Sequence, residues 1–100
     1  MNDKKLADRV YALLGRGTPT SHKCGHHSWH VYTWGLDATQ YVRDWRVAGA
    51  LMEKVDSIYP ERLVDERWQV QASLDAMPTE WLTNESLPRA IIEACVEALT

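Results

Sequence analysis

The sequence predicts an α+β fold, a small antiparallel sheet of two to three strands packed by three helices in the order α-β-α-β-(β)-α. Three observations predict it. After Pro88 the only charged residues are Arg89, Glu93 and Glu97, spaced four apart, so a helix here carries one narrow polar stripe and is apolar elsewhere. Such a helix has to lie deep against other elements. Residues 68–74 alternate apolar and polar without a fault, the pattern of a strand with one buried and one wet face. Two earlier segments hold apolar residues at helical spacing, and helices on a small sheet bury all of these faces together most economically.

Taken in order, residues 3–15 read as the first helix. Asp3 stands where an N-cap would accept the free N–H groups of the first turn. Leu6, Val10, Leu13 and Leu14 follow the i, i+4, i+7, i+8 pattern, with Lys4 and Asp8 paired on the other face. Gly15 and Gly17 permit a left-handed termination, and Pro19 prevents continuation. Residues 18–28 read as a polar connection. Residues 29–34 are aromatic and β-branched, closed by Gly35, and read as a strand with Trp29 and Trp34 on opposite faces.

Asp37-Ala38-Thr39-Gln40 has the form of a capping box and opens a second helix over residues 38–57, bounded by Pro60. Tyr41, Trp45, Ala48, Met52 and Val55 share one face of that helix, so Trp45 is expected in the core, as is Trp68 in its strand. Residues 61–67 are charged and read as loop. Met77-Pro78 ends the alternating strand, and Glu80-Trp81-Leu82 adds a short edge strand. Asn84 or Ser86 then caps the final helix, with Pro88 in its first turn, where a missing N–H costs nothing.

One hundred residues make one domain, 1–100, with a single core. A formal charge of −3, with Lys4, Lys5, Arg9, Arg16 and Lys23 dispersed among acids, argues against nucleic acid as a partner. No run approaches the ~20 apolar residues of a membrane span. The first residues lack the apolar core of a signal peptide, so a cytoplasmic location is expected. Cys24 and Cys95 make no disulfide framework; Cys95, inside the apolar helix, is expected to pack as a small apolar group.

With the elements placed, Tyr41 and Trp45, then Leu51-Met52-Glu53-Lys54-Val55, then Trp68-Gln69-Val70, then Leu87-Pro88-Arg89-Ala90-Ile91 with Ala94, together resemble the phage ABA-sandwich domain family. That family's pattern is a helix ending in a VVEKM-like phrase, a central WxV strand and a helix beginning PLAICRAAL. The likeness spans residues 37–99, with a compatible first helix containing Arg9-Val10-Tyr11-Ala12-Leu13-Leu14-Gly15. This chain departs from the pattern at Asp37-Ala38-Thr39-Gln40, where a Ser-Thr-Asp-like phrase is usual, and in its histidine-rich connection. The resemblance implies an α-β-α layered fold and a phage or prophage origin. It implies no catalytic residues, because the family has no established enzymatic activity.

The residues that carry chemistry cluster between His22 and His30. Imidazole and thiolate are favoured zinc ligands, and alternate residues of an extended chain project to one side. His22, Cys24 and His26 can thus converge on one ion, with His30 as a fourth ligand. The plainer alternative is a polar loop whose histidines titrate freely. A Cys24–His nucleophile pair lacks an orienting third group, and no phosphate loop or dinucleotide fingerprint is present, so no enzyme is indicated. Five tryptophans without a single phenylalanine are an unusual aromatic complement. Trp29, Trp34 and Trp81 are the candidate contact residues for a protein partner or a homodimer, since indoles bury large area with few rotors. Partial burial under loops is the alternative for each.

Overall fold

The structure, a computed structural model, describes residues 1–25 and 27–100, and for Cys24, His27 and Ser28 it describes the backbone alone. In chain order the elements are α1 (Asp3–Leu13), β1 (Thr20–Cys24), β2 (His27–Val31), a 3₁₀ turn (Thr33–Gly35), α2 (Ala38–Tyr41), α3 (Trp45–Met52), β3 (Ser57–Arg62), β4 (Trp68–Leu74), β5 (Met77–Pro78), β6 (Leu82–Asn84) and α4 (Leu87–Leu99). The class is α+β. Among the described residues the strands number six rather than two or three, in two separate antiparallel sheets.

β4 is the centre of the larger sheet. β3 pairs along one side of it, while β5 and β6 follow one another along the other side. The alternation of β4 sends Val70 and Ala72 into the core and leaves Gln69, Gln71 and Ser73 half-exposed on the opposite face. Between β5 and β6 the ladder is interrupted, and Thr79 closes the gap. Its Oγ1 accepts the Ala72 N–H at 3.1 Å, and its carbonyl accepts Gln71 Nε2 at 2.8 Å. The backbone groups that lose a strand partner are therefore still satisfied.

α4 lies across β4 and β6, and α1 and α3 pack on α4. Pro88, Ala90, Ile91, Ile92, Ala94, Cys95 and Val96 are all buried, as the near-continuous apolar surface of this helix demands. Ser86 is its N-cap, accepting the Arg89 N–H. The resemblance implies a sheet between two helical layers; here the helix packed on the sheet covers one face, and the Gln69–Gln71 side carries polar residues. Leu6, Ala7 and Val10 of α1 and Val47, Ala48 and Leu51 of α3 complete the core.

Several local expectations are corrected. The N-cap of α1 is Asn2, whose Oδ1 accepts the Lys5 N–H at 2.8 Å, and Asp3 is instead taken up by two arginines. The helix ends in a Schellman motif: Gly15 N–H donates to the Ala12 carbonyl and Arg16 N–H to the Tyr11 carbonyl, with Gly15 at φ 72°. The capping box at Asp37 and Gln40 forms as expected, yet it opens one turn only. Tyr41, Val42 and Asp44 are poor helix formers, and Asp44 restarts the chain as the N-cap of α3 by accepting the Arg46 N–H. The helix expected to run to residue 57 stops at Met52, residues 53–56 form a turn and bend, and β3 takes up the stretch around Pro60 expected as boundary and loop; the polar connection before residue 29 becomes one arm of the β1–β2 hairpin.

Candidate functional site

The β1–β2 hairpin forms a sheet of its own. Thr20 pairs with Val31, Ser21 with His30 and His22 with Trp29, so side chains alternate between two faces along this ladder. On one face His22 stacks on Trp29, with ring centroids 5.7 Å apart and planes 14° from parallel. On the other, His30 turns toward the body, where its Nδ1 lies 3.8 Å from Asp8 Oδ1. His22 and His30 therefore do not meet at one ion. Of the other proposed zinc ligands, His26 and the Cys24 side chain lie outside the described residues. Among the described residues no three His, Cys, Asp or Glu side chains are grouped as metal ligands.

Where the hairpin rejoins the body, Lys4, Trp29, His30, Tyr32, Asp37, Ala38 and Thr39 line an open cleft of about 310 Å³. One lining residue, Tyr32, belongs to a tyrosine cluster beneath the cleft. Tyr32 stacks on Tyr41 at 5.0 Å, and Tyr11 meets both edge-on at 5.4 and 5.8 Å. Tyr32 donates its hydroxyl to Asp8 Oδ1 at 2.6 Å. Burial first, and then that carboxylate, push the Tyr32 phenol far above its ordinary range, which favours the neutral hydroxyl that donates to Asp8. Burial likewise raises Tyr41, and the Thr33 hydroxyl pulls the other way. The Thr33 and Tyr41 hydroxyls lie close enough for that influence, yet neither closes a hydrogen bond of good geometry. Asp8 thus serves Tyr32 and not Lys4, its expected neighbour on α1. The cluster fixes the hairpin's root.

Trp29, Trp34 and Trp81, the three candidate contact residues, are 45%, 48% and 43% exposed. Trp34 occupies the 3₁₀ turn rather than the strand, in left-handed backbone at φ 62°, ψ 20°. That region is strained for a bulky side chain. The Arg46 guanidinium covers one side of its ring at 3.8 Å, and Arg46 is itself held by Asp44. Trp81 lies between β5 and β6 at the edge of the larger sheet. Trp45 does not enter the core: the break at residues 42–44 makes it the first residue of α3, and it is 58% exposed. Trp68 is half-buried, with the Arg62 guanidinium 5.1 Å from its ring.

Sequence reasoning missed one polar constellation. Arg89, assigned to the polar stripe of α4, is only 4% exposed. Its Nε donates to Asp3 Oδ1 at 3.0 Å, its Nη2 to the Met1 carbonyl at 2.9 Å and its Nη1 to Glu93. Arg43 holds the second Asp3 oxygen at 2.9 Å. Burial pushes the Asp3 carboxyl up, but hydrogen bonds from Arg43 and Arg89 outweigh it and hold the group below its ordinary range. This network ties α1 to the turn between α2 and α3 and to α4. Cys95 is buried, which pushes its thiol up to about 12, so it packs as the small apolar group expected.

No helix among the described residues is long and apolar enough to cross a membrane. Comparison of the chain with family models, with curated proteins and with solved structures finds no match in any of the three.

Proposed function

We propose that this chain is a small phage or prophage accessory protein of the host cytoplasm, non-enzymatic, which works through protein–protein contact at Trp29 and Trp34. The origin rests on the family resemblance; the mode of action rests on where the indoles lie. Trp29, Trp34, Trp45 and Trp81 are exposed, and no tryptophan enters the core, which is built from Val, Leu, Ile, Ala, Tyr and Cys95. Indoles are the costliest side chains to leave in water and the most common anchors of interfaces. At Trp34 the backbone adopts a conformation costing on the order of 1–3 kcal/mol to present a ring that stays half-exposed, which burial in this chain does not explain. Trp29 stands on the hairpin and Trp34 in the 3₁₀ turn at its exit.

The test compares Trp29→Ala, Trp34→Ala and Trp81→Ala. Circular dichroism and the unfolding midpoint should stay close to wild type in the first two, while binding to a cognate protein, or self-association measured by sedimentation, weakens about tenfold or more. Trp81→Ala separates a second contact from the hairpin surface. If association is the same in all three variants, the contact reading is wrong.

A further inference from the structure

We infer that the outer edge of β1 accepts an extended acidic segment of another protein as a third strand. The inference rests on the contact reading above and names the chemistry of the partner. Three independent observations lead to it.

The first is the isolation of the hairpin. β1 and β2 pair only with each other, and among the described residues no backbone hydrogen bond joins the outer edge of either strand to another element. A two-stranded ribbon is marginal in water and gains most from a third strand. Residues 20–23 of β1 are all exposed, whereas His30 and Val31 of β2 are half-buried, so the β1 edge is the accessible one. Unpaired N–H and C=O groups there present the ladder that strand addition uses.

The second is charge. Between Asp8 and Asp37 the sequence contains no acid, while Arg9, Arg16 and Lys23 fall in that stretch together with all four histidines. The remainder of the chain holds the other eight Lys and Arg against all fourteen acids. A single edge lysine such as Lys23 also blunts accidental pairing. An acid-free stretch across a whole hairpin, in a chain with net charge −3, goes further and matches an anionic partner.

The third is the His22–Trp29 stack, which lies on one face of the ribbon beside the β1 edge. An added strand would set alternate side chains against His22 on that face and leave the others on the Ser21–His30 face. Backbone pairing would supply affinity, and selectivity would come from the stack on one face and from Lys23, paired with Ser28, on the other.

The probes are two synthetic peptides of about seven residues, one alternating Val with Glu and the other Val with Lys, matched in length to a strand. A third is the Glu peptide with every backbone nitrogen methylated, which blocks both of its edges. Binding is followed on the full chain by amide chemical shifts and hydrogen exchange. The expected result is binding of the Glu peptide alone, with slowed exchange at residues 20–23, and an affinity that falls as salt rises from roughly 50 to 500 mM. The variant Lys23→Glu, at an exposed position of β1, should weaken binding by about tenfold or more at an unchanged unfolding midpoint. The N-methylated peptide should not bind.

Equal binding of both charged peptides, no binding of the Glu peptide, or protection confined to other segments would overturn the inference. So would tighter binding of a single-stranded oligothymidylate of equal charge, or a β1-to-β1 dimer in the peptide-free protein. If the peptides fail while Trp29→Ala still weakens protein association, contact through the indoles stands and only the acidic-strand assignment falls. If neither shows an effect, both fall.

Discussion

Replacing Arg89 with leucine removes the most deeply buried charge described. The wild-type guanidinium is 4% exposed and gives three hydrogen bonds, to Asp3, Glu93 and the Met1 carbonyl. Removing one partner from a fully buried ion pair costs about 3–5 kcal/mol, because the other charge is left without compensation. Here the stranded carboxylates keep some access to water: the Asp3 and Glu93 side chains are 26% and 20% exposed, and Asp3 retains Arg43. The expected loss is therefore lower, about 2–4 kcal/mol, part of it offset by the apolar leucine. In a domain of this size that corresponds to a fall in Tm on the order of 10–25 °C. Arg89→Lys should recover only part of the loss, since a single ammonium cannot reproduce a planar fork reaching three acceptors. Urea unfolding followed by tryptophan fluorescence measures both. A change below about 0.5 kcal/mol in Arg89→Leu would mean the guanidinium is solvated and the network is not structural.

Further outcomes follow from single residues. The folded-state pKa of Asp3 lies below its unfolded value, so its contribution is present above about pH 4 and lost as the pH falls through the folded value; unfolding free energies measured from pH 6 to 2 should decline less steeply in Arg89→Leu than in wild type. Ala76 holds φ 63° in the two-residue turn between β4 and β5, and Ala76→Gly should raise stability by about 1 kcal/mol in the same urea assay. Gly49 lies inside α3 with open space where a Cβ would go, so Gly49→Ala should add about 0.5–1 kcal/mol. The Cys95 thiol should resist a maleimide or disulfide reagent in the native state and react only on unfolding, as read by mass spectrometry of the peptide that contains it.

The parts of the fold that could be read from the sequence are those where one local signal acts alone. The apolar surface of α4, the alternation of β4, the Asp37–Gln40 box and the glycine termination of α1 all depend on side chains within a few positions. Elsewhere two signals competed. Apolar spacing runs on through Trp45 to Val55, but Asp44 prefers to cap, and that restart places Trp45 outside the core. β3 contains Pro60 and two charges and so reads as a boundary followed by loop. As an edge strand it needs no ladder N–H on its outer side, and it turns only Ile58 and Pro60 toward Ala72 and Val70. The turn at Asp75 and Ala76 lacks the glycine that usually announces a hairpin. Arg89 is the same kind of case. Its spacing with Glu93 and Glu97 marks a polar stripe, and only the arrival of α1 and its Asp3 turns the first residue of that stripe inward. Of the candidate site, Trp29, Trp34 and Trp81 could be singled out from the sequence, but partial burial under loops was an open alternative there, and that all three stand exposed is seen only in the structure. The left-handed backbone at Trp34 and the tyrosine cluster below the hairpin arise from contacts between distant segments, which no local pattern encodes.

Native-state hydrogen exchange tests the division between a cooperative body centred on α4 and a hairpin tied to it only at its root. The account predicts that amides of residues 90–96 and of the centre of β4 exchange only through global unfolding, with free energies that fall together in Arg89→Leu, while those of β1 and β2 open at much lower cost. Hairpin amides protected to the same degree as α4, or α4 amides exchanging by local fraying at low cost, would contradict it.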